Sequence, residues 1–560
     1  MVNPLHRAHR DVNQCHAKVD SVTCARRKQR CTRITSLRAC LRRSFTTAKS
    51  FPQAISLYRT WTFSVLCRFP IPVVSDCTFH ARAVRFCAND ARWTADSTLE
   101  SGVRRTVRVM SGKLRNGEEE CTELLQALIQ NACVNDGTVD SGGEIRSASV
   151  LETFLEGPGL ELETYDAAPG RRSLVARIEG SDPTAPTLLL MGHTDVVPAN
   201  PDHWSRDPFG GELVEGEVWG RGAIDMLNIT SSMAVAFKRL ARSGFTPRGT
   251  LVYLAVADEE SSGVYGAEHL VAHERDAVMA DYVITESGGI PLPSPNGLKL
   301  PVIVGEKGLF GIRIRVGGTA GHGSQPYKTD NALLTAAEVV RRIGEFQPET
   351  HIHDTWRRFI ESMGYPEEIS GPLLSVDGLD DILEHLPVGM ARQFHACTHT
   401  TFAPTVIHGG SKLNVIPDSV ELDVDIRTLP GHDAEMVMAE LRLALGDLAD
   451  AVTIEQLNYD PSSSSPTDTP LWESLARVTQ QWYPGSETVP FLTVGATDAR
   501  FFRRADRVAY GFGLFSENLT FEDFGRMFHG DDERIDTRSL GLSTELWETV
   551  AHDLLTNREG

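Results

Sequence analysis

The chain has 560 residues, 41% hydrophobic and 23% charged, with a formal charge of −20. That composition suits a globular protein too long for one simple core, so two or three domains are expected. No zinc-finger spacing, P-loop or basic balance points to nucleic acid, and no run of roughly eighteen apolar residues predicts a membrane helix.

The charge is divided along the chain. Residues 1–110 carry 20 of the 55 Lys+Arg and 6 of the 75 Asp+Glu, a net of +14 against −34 for the remainder. Seven of the ten cysteines lie there too, leaving Cys121, Cys133 and Cys397 for the body. Three scattered cysteines make no disulfide framework, so a reducing compartment, the cytoplasm, is expected. The basic segment loosely resembles a transit peptide but is long for one. Its apolar stretch is broken by Arg59, Arg68 and prolines, unlike a secretory signal, and its cysteines form no CxxC pair. The expectation is a disordered extension or an artefact of gene delimitation, with translation starting near Met110.

The body opens with helical apolar spacing from about Glu118, "EEECTELLQALIQNAC". "LETFLEGPGLELETYDA" follows as helix, turn at Gly157-Pro158-Gly159, and strand. "TLLLMGHTDVVPA" begins as a strand buried on both faces and runs into His193-Thr194-Asp195. Residues i and i+2 of a strand share a face, so the Asp195 carboxylate can accept the second N–H of a metal-bound His193. The same pair also describes a histidine satisfied at a surface turn. In "VWGRGAIDMLN", Asp225 precedes an amphipathic helix and reads equally as a ligand or as that helix's N-cap. "GTLVYLAVADEESSG" is another buried strand ending in Asp258-Glu259-Glu260. Adjacent carboxylates there need a cation or proton between them, unless the loop is simply solvated; one can bind metal while its neighbour acts as a base. "ADYVITESGG" repeats the scheme with Glu286.

From about residue 306 the pattern changes. "LFGIRIRVGG", "NALLTAAEVVRRIGEF", "APTVIHGG", "VELDVDIRTL", "DAEMVMAELRLALGDL" and "AVTIEQL" read as β-α-β-β-α-β, a compact α+β domain over 306–459 inserted into a body of 111–305 and 460–560. Residues 345–402 interrupt it. His351 and His353 there have no accompanying buried strand and are read as surface residues. "DPSSSSPTD" near 460 is read as a linker, and "TVGATDARFF" follows, with Gly495, Thr497 and Asp498 as weaker substrate candidates. His529 lies in "MFHGDDERI" near the end. Ligands gather beyond the carboxyl ends of strands in open α/β sheets. Three strands each deliver a histidine or carboxylate there, so a shared site is the economical reading.

Together "GHTDVVPA", "HWSRDPFGG", "GRGAIDM", "ADEESSG", "TESGG", "GTAGHGSQP" and "FHGDDERI", in this order, resemble the M20 metallopeptidase family over roughly residues 115–555. Within it the resemblance is greatest to aminoacylases and carboxypeptidase S. Leu227 and Asn228 depart from the commoner Asp-Met-Lys-Gly. The resemblance implies an α/β catalytic domain with a mixed, largely parallel sheet, and a lid or dimerisation domain. It implies two Zn2+, replaceable by Co2+ or Mn2+: Asp225 bridging, His193 and Glu286 on one ion, Glu260 and His529 on the other. Asp195 would orient His193, Glu259 would be the general base, and the Asp225–Met226 peptide would be cis. His322 would donate to the oxyanion, often in the partner subunit of a homodimer. Asn414 and Arg427 would bind substrate, Arg427 gripping a carboxylate; its bland alternative is an ion pair at a strand end. The implied activity is hydrolysis of amide bonds in small N-acyl amino acids or peptides bearing a free carboxylate. A noncatalytic binder that kept the fold is the alternative from another class, disfavoured because all five ligands and Glu259 are present. An HExxH protease is excluded by the lack of that motif.

Overall fold

The computed structural model describes residues 117–157 and 160–556. The readings for residues 1–110, for a start near Met110, and for Pro158 and Gly159 lie outside the described residues.

Residues 117–130 form the expected helix, burying Cys121, Leu124, Leu125, Leu128 and Ile129 along one stripe. The main body is a ten-stranded sheet. At its centre the strands Leu251–Val256, Leu188–His193, Tyr282–Thr285 and Val508–Gly511 lie side by side and parallel. Arg171–Ile178 and Glu161–Ala168 extend it antiparallel on one side, and Gly297–Glu306 on the other. The central strands are unbroken apolar runs because both faces are covered. Leu188 and Leu190 pack with the helices Leu227–Arg242 and Thr537–Leu555, while Leu189 and Met191 pack with Ala267–His273 and Ala499–Arg504. Gly192 permits the close approach of strand to helix: a Cβ there would lie 2.4 Å from Thr230 Oγ1.

A small three-stranded sheet, Glu212–Val214, Glu217–Trp219 and Arg534–Asp536, stands beside the main one. It pairs Trp219, at the start of the glycine loop, with Arg534, at the end of the "FHGDDE" segment. Two loops more than 300 residues apart are thereby held together.

The second unit of architecture is a four-stranded antiparallel sheet in the order Thr401–Gly409, Ser419–Thr428, Gly308–Gly317, Val452–Asp460. The helices Ala332–Glu345 and Ala434–Leu445 pack on it around Ile312, Val339, Val424 and Leu441. The β-α-β-β-α-β reading is realised, and the fold is the α/β catalytic sheet with an inserted α+β domain. The segment interrupting it forms the helices Asp354–Met363, Glu367–Leu373, Leu379–Leu383 and Val388–Thr398. Their core, with Trp356, Phe359, Ile360 and Phe394, packs on Ile303, Val489 and Phe491 of the main sheet, not on the inserted domain's own core. The serine run expected as a linker contributes a short strand, Ser463–Ser464, to the main sheet. Cys121, Cys133 and Cys397 are buried and free. Among the described residues no helix is long and apolar enough to cross a membrane.

Candidate metal centre

His193 is the last residue of its strand; Asp258, Glu259 and Glu260 follow Leu251–Val256, and Glu286 follows Tyr282–Thr285. Because the three strands are parallel, all these side chains emerge at one edge of the sheet. Asp225 and His529 arrive on the two loops joined by the small sheet. The Asp225–Met226 peptide is cis, and Asp258, Ser287 and His529 adopt left-handed backbone, uncommon for non-glycine residues and typical of sites the surrounding fold over-determines.

The geometry centres on Asp225. Its Oδ1 lies 3.1 Å from His193 Nε2, which is 4.0 Å from Glu286 Oε2. Its Oδ2 lies 2.9 Å from His529 Nε2, which is 3.2 Å from Glu260 Oε2. Two trios result, His193/Asp225/Glu286 and Asp225/Glu260/His529, each with donor atoms within 4.8 Å of one another. Ligand bonds of 2.0–2.2 Å in a tetrahedron place donor atoms about 3.4 Å apart, so each trio fits one divalent ion with N and O ligands. The first trio is the deeper: the His193 side chain is 1% exposed, whereas that of His529 is 45% exposed.

Hydrogen bonding supports the fit. His193 Nδ1 lies 2.9 Å from the Asp195 main-chain carbonyl, which can only accept. Nδ1 therefore carries the proton in the neutral ring, and the Nε2 lone pair faces Asp225 Oδ1. Two lone pairs at that distance require a cation or a proton between them. The buried Glu260 Oε1 has no hydrogen-bond partner among the described residues.

The electrostatics are those of concentrated negative charge. Burial, countered by His193 and reinforced by Asp498 and Glu260, holds Glu259 well above the usual carboxylate range. Burial also raises Glu286, reinforced by Glu259 and Asp225. For Asp225 the two histidines outweigh burial and lower its pKa. For His193, burial is outweighed by Asp225, Glu259 and Glu286, and its pKa is raised. Burial is likewise outweighed at His529, which Asp225 and Glu260 lift to about 10. Glu259 belongs to neither trio, unlike Glu260.

Asp195 differs from the expectation in detail. Its carboxylate is 3.6 Å from His193 Nδ1, beyond hydrogen-bond reach; its carbonyl holds the ring instead. The carboxylate accepts from the amides of Glu259 and Glu260, at 3.2 and 3.1 Å, and from Asn135 Nδ2 at 2.9 Å. The reason is that the strand ends at His193, so the alternation of side chains no longer applies at Asp195.

Two supports escaped the sequence reading. Glu533, fully buried, accepts from Arg221 Nη1 at 2.8 Å and from the amides of Gly222, Ile224 and Asp225 at 3.1, 2.6 and 3.0 Å. Burial pushes its carboxyl up to about 7, against the pull of Arg221 and those amides. It clamps the loop that carries Asp225. Its only sequence signal was membership of an acidic run after His529. Asn135 donates to both Asp195 and Asp258 and accepts from Arg171, which pairs with buried Glu144 at 2.6 Å. Nothing in "NACVNDG" marks it.

The lid candidates fall in two places. His322 is exposed on the short strand Gly321–His322, its Nδ1 2.8 Å from Ser324 Oγ. Asn414 is beside it, its carbonyl accepting from the Gly323 amide at 2.8 Å. Arg427 makes a two-pronged contact with Asp425, at 2.7 and 3.1 Å, the strand-end ion pair named as its alternative. Thr497 spends its amide and hydroxyl on Glu306. Asp498 is 2% exposed, with both carboxylate oxygens unpartnered among the described residues, and burial pushes it up to about 7. Gly495 has no neighbour within 4 Å of where a Cβ would lie. His351 and His353 are half-buried, not surface residues: His353 caps the helix Asp354–Met363 and contacts the Cys397 carbonyl at 2.8 Å.

A family model described as peptidase family M20/M25/M40 matches residues 189–553. The chain is 30% identical over 397 residues to the N-fatty-acyl-amino acid synthase/hydrolase PM20D1 of Homo sapiens, covering 68% of this chain and 77% of that protein. It is 28% identical to aminoacylase-1 of Homo sapiens over 402 residues, 70% of this chain and 87% of the relative. The crystal structure of the M20 family metallo-carboxypeptidase Sso-CP2 from Sulfolobus solfataricus shares the fold, with a TM-score of 0.57 at 19% identity, over 78% of this chain and 99% of that one.

Proposed function

The chain belongs to peptidase family M20/M25/M40, and from that premise we propose that it removes acyl groups from small N-acyl amino acids. It is a metal-dependent hydrolase with a buried His/Asp/Glu cluster. The pair of trios sharing Asp225 carries the metal-dependent hydrolysis, and the likeness to the N-fatty-acyl-amino acid synthase/hydrolase and to aminoacylase-1 supports acyl amino acids as its substrates. We assign His193 and Glu286 to one Zn2+, Glu260 and His529 to a second, and Asp225 to both; Co2+ or Mn2+ would substitute. When bound, such ions lower the pKa of water and act as Lewis acids toward the acyl carbonyl. Glu259, which belongs to neither trio, takes a proton from the attacking water on its carboxylate and passes it to the leaving nitrogen. Asp195 holds the His193 ring through its carbonyl and the Glu259–Glu260 backbone through its carboxylate.

Residues 111–305 and 460–560 are assigned to the catalytic domain and 306–459 to the lid, an assignment supported by the separate hydrophobic clusters of the two sheets, with the helices between 354 and 398 packing on the catalytic one. In the lid, His322 would steady the oxyanion while Asn414 and Arg427 bind substrate, Arg427 exchanging Asp425 for the substrate carboxylate. The exposed ring of His322 suits donation into a second subunit of a homodimer. Supporting that, the lid's edge strand Thr401–Gly409 exposes Val406 and Ile407, and the helix Ala332–Glu345 that contacts this strand exposes Leu333 and Leu334. Three buried free thiols fit a cytoplasmic location.

The test is a hydrolysis panel on the purified chain: N-acetyl and N-fatty-acyl amino acids, dipeptides and N-succinyl compounds, before and after chelation and Zn2+ return. Acyl amino acids should be the better substrates, with activity lost on chelation and restored by the ion. Turnover that survives chelation would remove the metal from the mechanism. Faster cleavage of dipeptides would overturn only the substrate assignment.

A further inference from the structure

Away from the catalytic cluster, His351, His432 and Glu440 bring one donor atom each within 4.8 Å of the others. They come from three places in the chain. His351 opens the inserted helical segment, its amide bonded to the Thr398 carbonyl at 2.8 Å. His432 lies in the turn between Ser419–Thr428 and Ala434–Leu445, and Glu440 on the latter helix. The two imidazoles meet edge to face with centroids 4.2 Å apart. His432 is 7% exposed, and its Nδ1 is held 2.9 Å from Thr400 Oγ1, which leaves Nε2 for a ligand. His351 Nε2 and Glu440 Oε2 are both buried with no hydrogen-bond partner among the described residues. Buried polar atoms are almost always paired, and two orphans converging with a third donor need a common partner.

From this convergence we infer that His351, His432 and Glu440 form a further site for a divalent transition-metal ion of the zinc class, separate from the catalytic pair. Two imidazole nitrogens and a carboxylate oxygen are a three-ligand zinc donor set, with a fourth position for water. The ion would pin the inserted helices, which pack on the catalytic sheet, to the lid, which contributes the other two ligands. It takes no part in the hydrolysis, so the inference stands apart from the substrate assignment.

The experiment counts metal. Full-length chain is stripped with chelator, reloaded with Zn2+, desalted and measured by inductively coupled plasma mass spectrometry. His351→Gln and Glu440→Gln should each hold one equivalent fewer than wild type, with an unchanged circular dichroism spectrum. A second arm does not depend on those variants folding: a His193→Ala/Asp225→Asn/His529→Ala chain, lacking the catalytic donors, should retain one equivalent. Adding His432→Ala to that chain should abolish it. Equal metal content in wild type and the single variants, or no ion retained by the catalytic-cluster variant, would overturn the site.

Discussion

Glu533→Ala tests whether the Asp225 loop is held from beneath. Glu533 is 0% exposed and its partner Arg221 3%. Its Oε2 accepts from Arg221 and the Gly222 amide, and its Oε1 from the amides of Ile224 and Asp225. Removing one partner of a buried, hydrogen-bonded ion pair typically costs about 3–5 kcal/mol. The three stranded amides work in the same direction, so a loss of about 4 kcal/mol is expected. Glu533→Gln should fall between: its carbonyl oxygen can serve one pair of donors, but its NH2 faces the other pair, donor against donor. Both variants should also bind the catalytic ions more weakly, by about 10–100-fold, because Asp225 is no longer positioned. Urea unfolding followed by tryptophan fluorescence reads the first effect, and competition with a chromophoric chelator reads the second. Wild-type stability and wild-type metal affinity in Glu533→Ala would refute the clamp.

Glu259→Gln should retain its metal content while kcat falls about 10²–10⁴-fold, the span of general-base catalysis; an unchanged kcat would dismiss Glu259 as the base. His399 gives a pH prediction: burial, with His395 beside it, holds it down to about 4. Between about 6.5 and 4 the unfolded chain gains a proton that the folded chain refuses, so this contribution is complete above 6.5 and lost as pH falls, by about 3 kcal/mol at most. His399→Gln should flatten the acid limb of a stability–pH curve over that window, and an unchanged limb would count against the neutral histidine. Ile407→Lys, which places charge on the exposed lid edge, should convert a dimer to monomers in size-exclusion chromatography with light scattering; a dimer that persists would place the interface elsewhere.

The parts of the site visible in the sequence are those governed by local rules. "LLLM", "LVYLAV" and "YVI" are short uncharged, β-prone runs, as expected of strands covered on both faces. Once the strands are parallel, their carboxyl ends must share an edge, so His193, Glu260 and Glu286 were drawn together before any distance was known. Asp195 meets the His193 ring through its carbonyl and not its carboxylate because period-two alternation does not extend past the end of the strand. Glu533 and Asn135 were invisible for a different reason. Each acts on backbone or side chains distant in sequence, Glu533 on residues over 300 positions away, and no local pattern records such a partner. His351 and His353 are half-buried for the same kind of reason: they are covered by residues 397–398, at the end of the last inserted helix, and by His432 beyond it.

Why the ligand set should be more legible than its support follows from charge. Asp225, Glu260 and Glu286 bring three carboxylates into one buried place, with Glu259 beside them. Most of the pKa shifts run toward holding protons: Glu259, Glu260 and Glu286 are raised, and His193 and His529 keep theirs more tightly, while Asp225, set between the two histidines, is lowered. Such a cluster is unfavourable in a fold unless cations balance it. Carboxylates at the ends of apolar strands are therefore conspicuous, because burial alone would have selected against them. For the support residues the protein's own donors offset most of that cost. Glu533 has Arg221 and three amides, and Asp195 has three donors, so each is an ordinary satisfied buried acid. The sequence betrays residues whose charge the protein alone leaves unbalanced, and hides those that the fold itself has already satisfied.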